Sequence, residues 1–228
     1  MCGIVGLHLK GDRHSERLGE LLAGMFVQVR ERGPDSGGVG VYADAGLTVL
    51  KEVGDPADLV GRFGLAGRSG FRAIGHTRMA TESLVDVAHS HPFWARPFAD
   101  ISVVHNGHIT NYHKLRRKLE EKGHRFATGN DSEAIAVYIA DKLEAGESLE
   151  DALRASVHDL DGTFAYLIST PDGIGVARDR FALKPMVVAE DDEVVLLASE
   201  EIALRTVSGD RDLTPLELGA GEVRWWLR

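Results

Sequence analysis

The sequence predicts an α+β fold in which antiparallel sheets are stacked in layers and covered by helices. Three observations carry that reading. Turn-bounded runs rich in β-branched residues cluster towards both ends of the chain. Two pairs of amphipathic helices lie between them. Strands and helices do not alternate in the regular βαβ manner that builds a parallel sheet. A short Pro-Asp-Gly turn between Ser169 and Gly173 also joins two runs as an antiparallel hairpin.

Along the chain, the first strand is expected over Gly3–Lys10. A helix opened by Ser15 follows, with Leu18, Leu21, Leu22, Met25 and Val29 on one face. Strands come next at Gly38–Ala43 and Leu47–Val53. The segment Gly54 to Gly70 holds five glycines and Pro56, and reads as a loop with one helical turn. Strands over Ala73–Thr77 and Ile101–His105 precede a second helix. Thr110 or Asn111 caps it, Leu115 and Leu119 face inward, and Gly123 stops it. A third helix begins near Asp131 and buries Ile135, Tyr138, Ile139 and Leu143. Ser148 and Asp151 form a capping box for a fourth, which carries Leu149, Leu153, Val157 and Leu160. The closing strands are Thr163–Ser169, Gly173–Arg178, Met186–Ala189, Val194–Ser199 and Glu222–Leu227. No repeat or linker divides the chain, so residues 1–228 read as one domain.

Hydrophobic residues make up 43% and charged residues 27%, the balance of a globular protein, and 228 residues bury a sizeable core. A formal net charge of -9 argues against nucleic-acid binding, and the basic run His113 to Arg117 reads as a solvated helix face. No apolar run approaches the ~20 residues needed to cross a bilayer. Neither a signal peptide nor a pair of cysteines is present, so a reducing, cytoplasmic setting is expected.

The single cysteine, Cys2, directly follows the initiator Met1. A lone cysteine in an apolar run is commonly a small buried hydrophobe. Its position supports a second reading. Removal of Met1 leaves a thiol and a free α-amino group on one residue, with reference pKa values near ~8.5 and ~7.7–8.0. The amine can take the thiol proton and later give it to a leaving group, so one residue supplies nucleophile and general base.

Such a nucleophile needs donors for the oxyanion that it creates. Asn106-Gly107, after the strand ending Val103-Val104, offers a side-chain amide and a backbone N–H; Asn-Gly is equally a common turn dipeptide. Arg78 ends another strand, and its planar fork suits a carboxylate. Asp131 opens a helix, where it serves either as N-cap or as ligand for a substrate ammonium. Ten histidines include the close pairs His89/His91 and His105/His108, but no zinc signature is present and no metal is expected. The Gly-rich "RGPDSGG" lacks the lysine of a phosphate loop.

Taken in order, the stretches Met1–Gly6, Arg32–Ser36, Gly75–Thr81, His91-Pro92, His105–Gly107 and Asn130–Glu133 resemble the class II glutamine amidotransferases, the N-terminal-nucleophile family with a catalytic cysteine. Ala177–Pro185 and Ala198–Leu204 resemble that family's Arg-Asp…Lys-Pro and Ser-Glu motifs. Ala182 stands where the family usually has Gly, and Gly219–Glu222 replaces a Pro-Gly-Glu turn.

The resemblance implies a four-layer αββα sandwich and hydrolysis of the glutamine side-chain amide. It implies Cys2 as nucleophile and base, and Asn106 with Gly107 as oxyanion hole. Arg78 would bind the glutamine α-carboxylate and Asp131 its α-ammonium, with Arg32 and Thr81 at further pocket positions. His91 matches a histidine near the pocket without a catalytic role. Because the sequence stops after this region, the resemblance also implies an ammonia-accepting synthase subunit on a separate chain. Glutamate-synthase-like assemblies, including the N-methylglutamate synthase type, are the nearest pattern. In those, flavin and iron–sulfur centres belong to the partner subunits, so no cofactor is expected in this chain. The alternatives are another N-terminal-nucleophile amide hydrolase and a non-catalytic regulatory subunit that kept the fold.

Overall fold

The computed structural model describes residues 2–80, 84–95, 100–209 and 211–228. In chain order its elements are β1 (Gly3–Leu9), α1 (Leu18–Gln28), β2 (Ser36–Ala43), β3 (Gly46–Val53), α2 (Pro56–Arg62), β4 (Arg72–Arg78), β5 (Phe93–Trp94) and β6 (Ser102–Ile109). There follow α3 (Tyr112–Glu121), α4 (Asp131–Glu144), α5 (Leu149–Asp159), β7 (Gly162–Ser169), β8 (Gly173–Arg178), β9 (Val187–Glu190), β10 (Val194–Ala198), α6 (Glu201–Ser208), β11 (Leu216–Glu217) and β12 (Val223–Leu227).

The strands form a seven-stranded sheet, β11-β9-β10-β1-β4-β2-β3, and a five-stranded sheet, β12-β8-β7-β6-β5. Every pairing between these strands is antiparallel. The side-chain alternation of a strand makes the layering legible. In β1, Ile4 joins the apolar cluster between the sheets, whereas Val5, Leu7 and Leu9 join the cluster beneath α1 and α6. In β7, Ala165 and Leu167 face the other sheet, whereas Phe164, Tyr166 and Ile168 pack under α4 and α5. Three apolar clusters thus lie between four layers, helices–sheet–sheet–helices, as the resemblance implied.

Sheets covered on both faces explain why the first strand is buried along its whole length. They also show where the sequence reading falls short. α6 was not expected, because its short run buries only Ala203 and Leu204. The segment 54–70 holds the seven-residue α2 as well as a 3-10 turn at Leu65–Gly67. Asp55 caps α2 by accepting from the N–H of Ala57 at 2.8 Å, and Pro56 occupies its first turn. That start signal was masked by the glycines around it. Ser15 does not cap α1; it lies in a 3-10 turn, Asp12–Arg17, that runs into the helix. Asn111 precedes α3, but its side chain bridges to Asp159 and Asp161 instead of capping. The Ser148–Asp151 box forms as expected, with Asp151 N–H donating to Ser148 Oγ at 3.1 Å.

Ala182 has a φ of 51°, in the left-handed region that favours glycine. The loop is held by Asp179, whose carboxylate accepts from Phe181 N–H at 2.7 Å, and by Arg178, which donates to Ala182 O at 2.6 Å. A Cβ in this region costs about 1–2 kcal/mol, part of which glycine gives back in unfolded-chain entropy. Ala182→Gly is therefore expected to stabilise the fold by about 0.5–1 kcal/mol, read as a higher denaturant midpoint at unchanged slope.

Candidate active site

Cys2 sits at the mouth of a cavity of about 550 Å³, lined also by Arg78, Asn106, Gly107, Asp131 and Lys184. The main chain around Cys2 is pinned from several sides. Ile4 N–H donates to Ser199 Oγ at 2.6 Å, and Ser199 N–H returns a bond to Ile4 O at 3.0 Å. The next residue, Glu200, accepts from Arg32 at 2.8 Å. Arg32 Nε in turn donates to the Cys2 carbonyl at 2.9 Å. The Ser-Glu motif and the Arg32–Ser36 motif thus converge on the Cys2 peptide. A Cβ at residue 3 would lie 2.7 Å from Val29 Cβ and 2.8 Å from its carbonyl oxygen, so only glycine lets the strand start this close to α1. The thiol meets the main chain just past β4, with Met79 N–H 3.4 Å from Sγ.

Asn106 and Gly107 are not in a turn: β6 continues through both to Ile109. Asn106 Nδ2 donates one N–H to the Cys2 carbonyl at 3.0 Å, and the amide carries a second. Gly107 has a φ of +135°, and a Cβ there would lie 1.9 Å from Thr163 O. Opposite it stands Phe164, whose N–H and C=O both bond to Asp179, at 2.8 and 2.9 Å. Phe164 therefore does not engage the Gly107 N–H, which is left beside the cavity with Asn106.

Arg78 ends β4, is almost wholly buried, and donates to Leu84 O at 2.8 Å. Asp35 shapes the turn beyond it: Asp35 N–H bonds to Arg78 O, and its carboxylate accepts from Ala80 N–H at 2.8 Å. Asp131 is not the N-cap of α4. Asn130 takes that position, accepting from Ser132 N–H at 2.9 Å. Glu133 braces the approach by accepting from Ala127 and Thr128 N–H, both at 2.7 Å. Asp131 is thereby released from capping and faces the cavity, while its Oδ2 accepts from Ile109 N–H at 2.9 Å.

The structure brings Cys2, Arg78, Asn106, Gly107 and Asp131 to one cavity. Arg32 lies behind Cys2, bonded to its carbonyl. Met1 and Thr81 lie outside the described residues. Lys184 and Ser132 also face the cavity, although the sequence reading assigned them no role. Their signal was adjacency, one beside Pro185 and the other beside Asp131.

Three buried imidazoles adjoin the cavity, two of them, His91 and His105, in its lining. His76 stacks on His91 with ring centroids 3.8 Å apart, and His76 Nε2–H donates to His105 O at 3.0 Å. His91 and His105 both meet Ser132 Oγ at 2.9 Å. Burial, reinforced by neighbouring positive charge, pushes His76 down to about 3 and His91 well below its usual range. Burial also lowers His105, against the opposing pull of Asp131. Among the described residues no group of three or more side chains is arranged to hold a metal ion.

The chain matches a family model described as a glutamine amidotransferase domain over residues 76–206. The chain belongs to the class II glutamine amidotransferases. It is 49% identical over 176 residues to a glutamine-amidotransferase-type protein of Methanothermobacter thermautotrophicus, covering 77% of this chain and 57% of that one. It is 34% identical to the glutamine amidotransferase-like protein GlxB of Rhizobium meliloti, covering 90% and 91%. Among solved structures, the glutamine phosphoribosylpyrophosphate amidotransferase of B. subtilis superposes with a TM-score of 0.82 at 26% identity, covering 98% of this chain and 47% of that chain. The chain thus spans about half the length of several relatives and nearly all of GlxB. No helix among the described residues is long and apolar enough to cross a membrane.

Four buried histidines have lowered pKa values, with His8 at about 4 joining the three beside the cavity. The unfolded chain binds protons at these rings below about pH 6.5 whereas the folded chain does not, so stability falls as pH falls through that value. Denaturation near pH 5.5 is expected to take up about two to four protons. A stability flat between pH 7 and 5 would contradict the buried neutral state.

Proposed function

We propose that this chain is the glutaminase subunit of a larger enzyme. It hydrolyses the side-chain amide of glutamine through a Cys2 thioester and delivers ammonia to a separate synthase subunit. The observation that carries this reading is the convergence of the Cys2 thiol, the Asn106-Gly107 pair, the cations Arg78 and Lys184 and the Asp131 carboxylate on a single cavity. Arg78 and Asp131 take the two charged ends of a free α-amino acid, which places its side-chain amide towards Cys2.

With Met1 removed, the α-amine of Cys2 accepts the thiol proton and the thiolate attacks the amide carbon. Negative charge forms on the amide oxygen, where the second Asn106 N–H and the Gly107 N–H stabilise it. Collapse of this adduct breaks the C–N bond; the amine returns its proton and ammonia leaves. Water, deprotonated by the same amine, then opens the thioester to give glutamate. Arg32 holds the Cys2 peptide still throughout.

A glutamate-synthase-like partner, with flavin or iron–sulfur centres of its own, is the acceptor we favour. Its support is the run of sequence motifs from Cys2 to Leu204, which resembles the amidotransferase subunits of such assemblies. The retained Cys2 and its donors speak against a regulatory subunit, and the paired Arg78 and Asp131 against a different amide substrate.

Purified chain, alone or with its partner, is expected to release glutamate from glutamine. Cys2→Ala is expected to release none, and intact mass should show Met1 absent from active protein. Absence of release in both settings, with undiminished biological function of Cys2→Ala, would sink the proposal. Asn106→Ala is expected to lower kcat by about 10²–10³-fold with a smaller change in KM; an equal loss in binding would move Asn106 out of the oxyanion hole.

A further inference from the structure

Ser132 Oγ sits at the centre of a buried junction, 2.9 Å from His91 Nε2, 2.9 Å from His105 Nδ1 and 3.4 Å from Asp131 Oδ1. The proton positions follow from what each ring has on its other side. His91 Nδ1 and His105 Nε2 are buried and have no hydrogen-bond partner. A neutral imidazole carries one N–H, and a buried N–H without an acceptor is rarer in folded proteins than an unused lone pair. Both rings therefore place their N–H towards Ser132. The hydroxyl accepts two hydrogen bonds, and its own proton is left for the Asp131 carboxylate. His105 Nδ1, 3.8 Å from the same carboxylate oxygen, points its positive end in the same direction. Asp131 Oδ2 is held separately by Ile109 N–H. His76 completes the support: it is stacked on His91 and bonded to the His105 carbonyl.

We propose that Ser132, backed by His91 and His105, is a positioning unit that aims the Asp131 carboxylate into the cavity and thereby selects substrates bearing a free α-ammonium. This rests on the glutaminase reading and deepens it. These residues touch no reacting atom. They hold a carboxylate between donors on its protein side, so that its remaining lone pairs face the cavity. Without the hydroxyl the carboxylate loses an ionic hydrogen bond and its orientation, a loss of about tenfold in what it recognises.

The test compares two substrates that differ only at the group Asp131 meets: glutamine, and 4-carbamoylbutanoate, which is glutamine without its α-amino group. The readout is the ratio of their kcat/KM values in the full chain. Wild type is expected to favour glutamine strongly. Ser132→Ala is expected to reduce that ratio about tenfold, chiefly through a higher KM for glutamine, and Asp131→Asn to reduce it further. Ser132→Thr, which keeps the hydroxyl, is expected to restore it. If Ser132→Ala does not fold, Ser132→Cys, with a weaker donor, reads the same ratio. A ratio within twofold of wild type in the alanine or cysteine variant, while Asp131→Asn collapses it, overturns the positioning role. So does an equal loss on both substrates. A wild-type chain that hydrolyses neither compound, alone or with its partner, overturns the glutaminase reading itself, a failure distinct from an unchanged ratio.

Discussion

The carbonyl oxygen of Cys2 is the point on which the site depends. It accepts from Arg32 at 2.9 Å and from Asn106 at 3.0 Å. Cys2 leads into the seven-stranded sheet, Asn106 lies in the five-stranded one, and Arg32 lies in the connection from α1 to β2. One oxygen therefore ties two layers and a loop together beside the cavity. Asn106 contacts the Cys2 peptide through one amide hydrogen and keeps another, so Cys2 and the Asn106 amide cannot drift apart independently. Such preorganisation is what electrostatic stabilisation of a transition state requires.

Polar groups beside the cavity are arranged at a cost to stability. Burying His76, His91 and His105, each with one unpartnered nitrogen, is unfavourable in an apolar interior. The rings stay neutral, which lessens the penalty. In return the loop carrying His91, the strand carrying Asn106 and Gly107, and the helix start carrying Asp131 are linked side by side. The neighbouring motifs do similar work with charge. Asp179 spends its carboxylate on Phe164 and Phe181 N–H groups. Arg178, buried beside it, holds the loop that brings Lys184 to the cavity.

Much of the fold was legible because strands and helices announce themselves locally. The long strands were read to within a few residues, and the α3, α4 and α5 apolar faces were read from their spacing. Two-residue strands such as β5 and β11 carry no periodicity to read. Neither does α6, whose buried face is two residues wide. Caps were the least legible feature. Asn130 and Asp131 are adjacent and both suit a helix start, and only the path of the chain decides which turns its oxygen to the helix.

Sequence alone determined which reactive groups are available: a thiol at the second residue, an Arg and an Asp suited to the ends of an amino acid, and an Asn-Gly pair with two N–H donors. Those identities are properties of the residue types and survive without a fold. Tertiary structure decided which of them meet. It put Asn-Gly inside a strand instead of a turn, in register with Ala165 and Phe164 of β7, and left the Gly107 N–H unengaged because Asp179 occupies both main-chain groups of Phe164. It set Arg32 behind Cys2 and made Ser132 the junction between Asp131 and two imidazoles. Contacts between residues tens to hundreds of positions apart depend on strand register and layer packing, which no local pattern encodes.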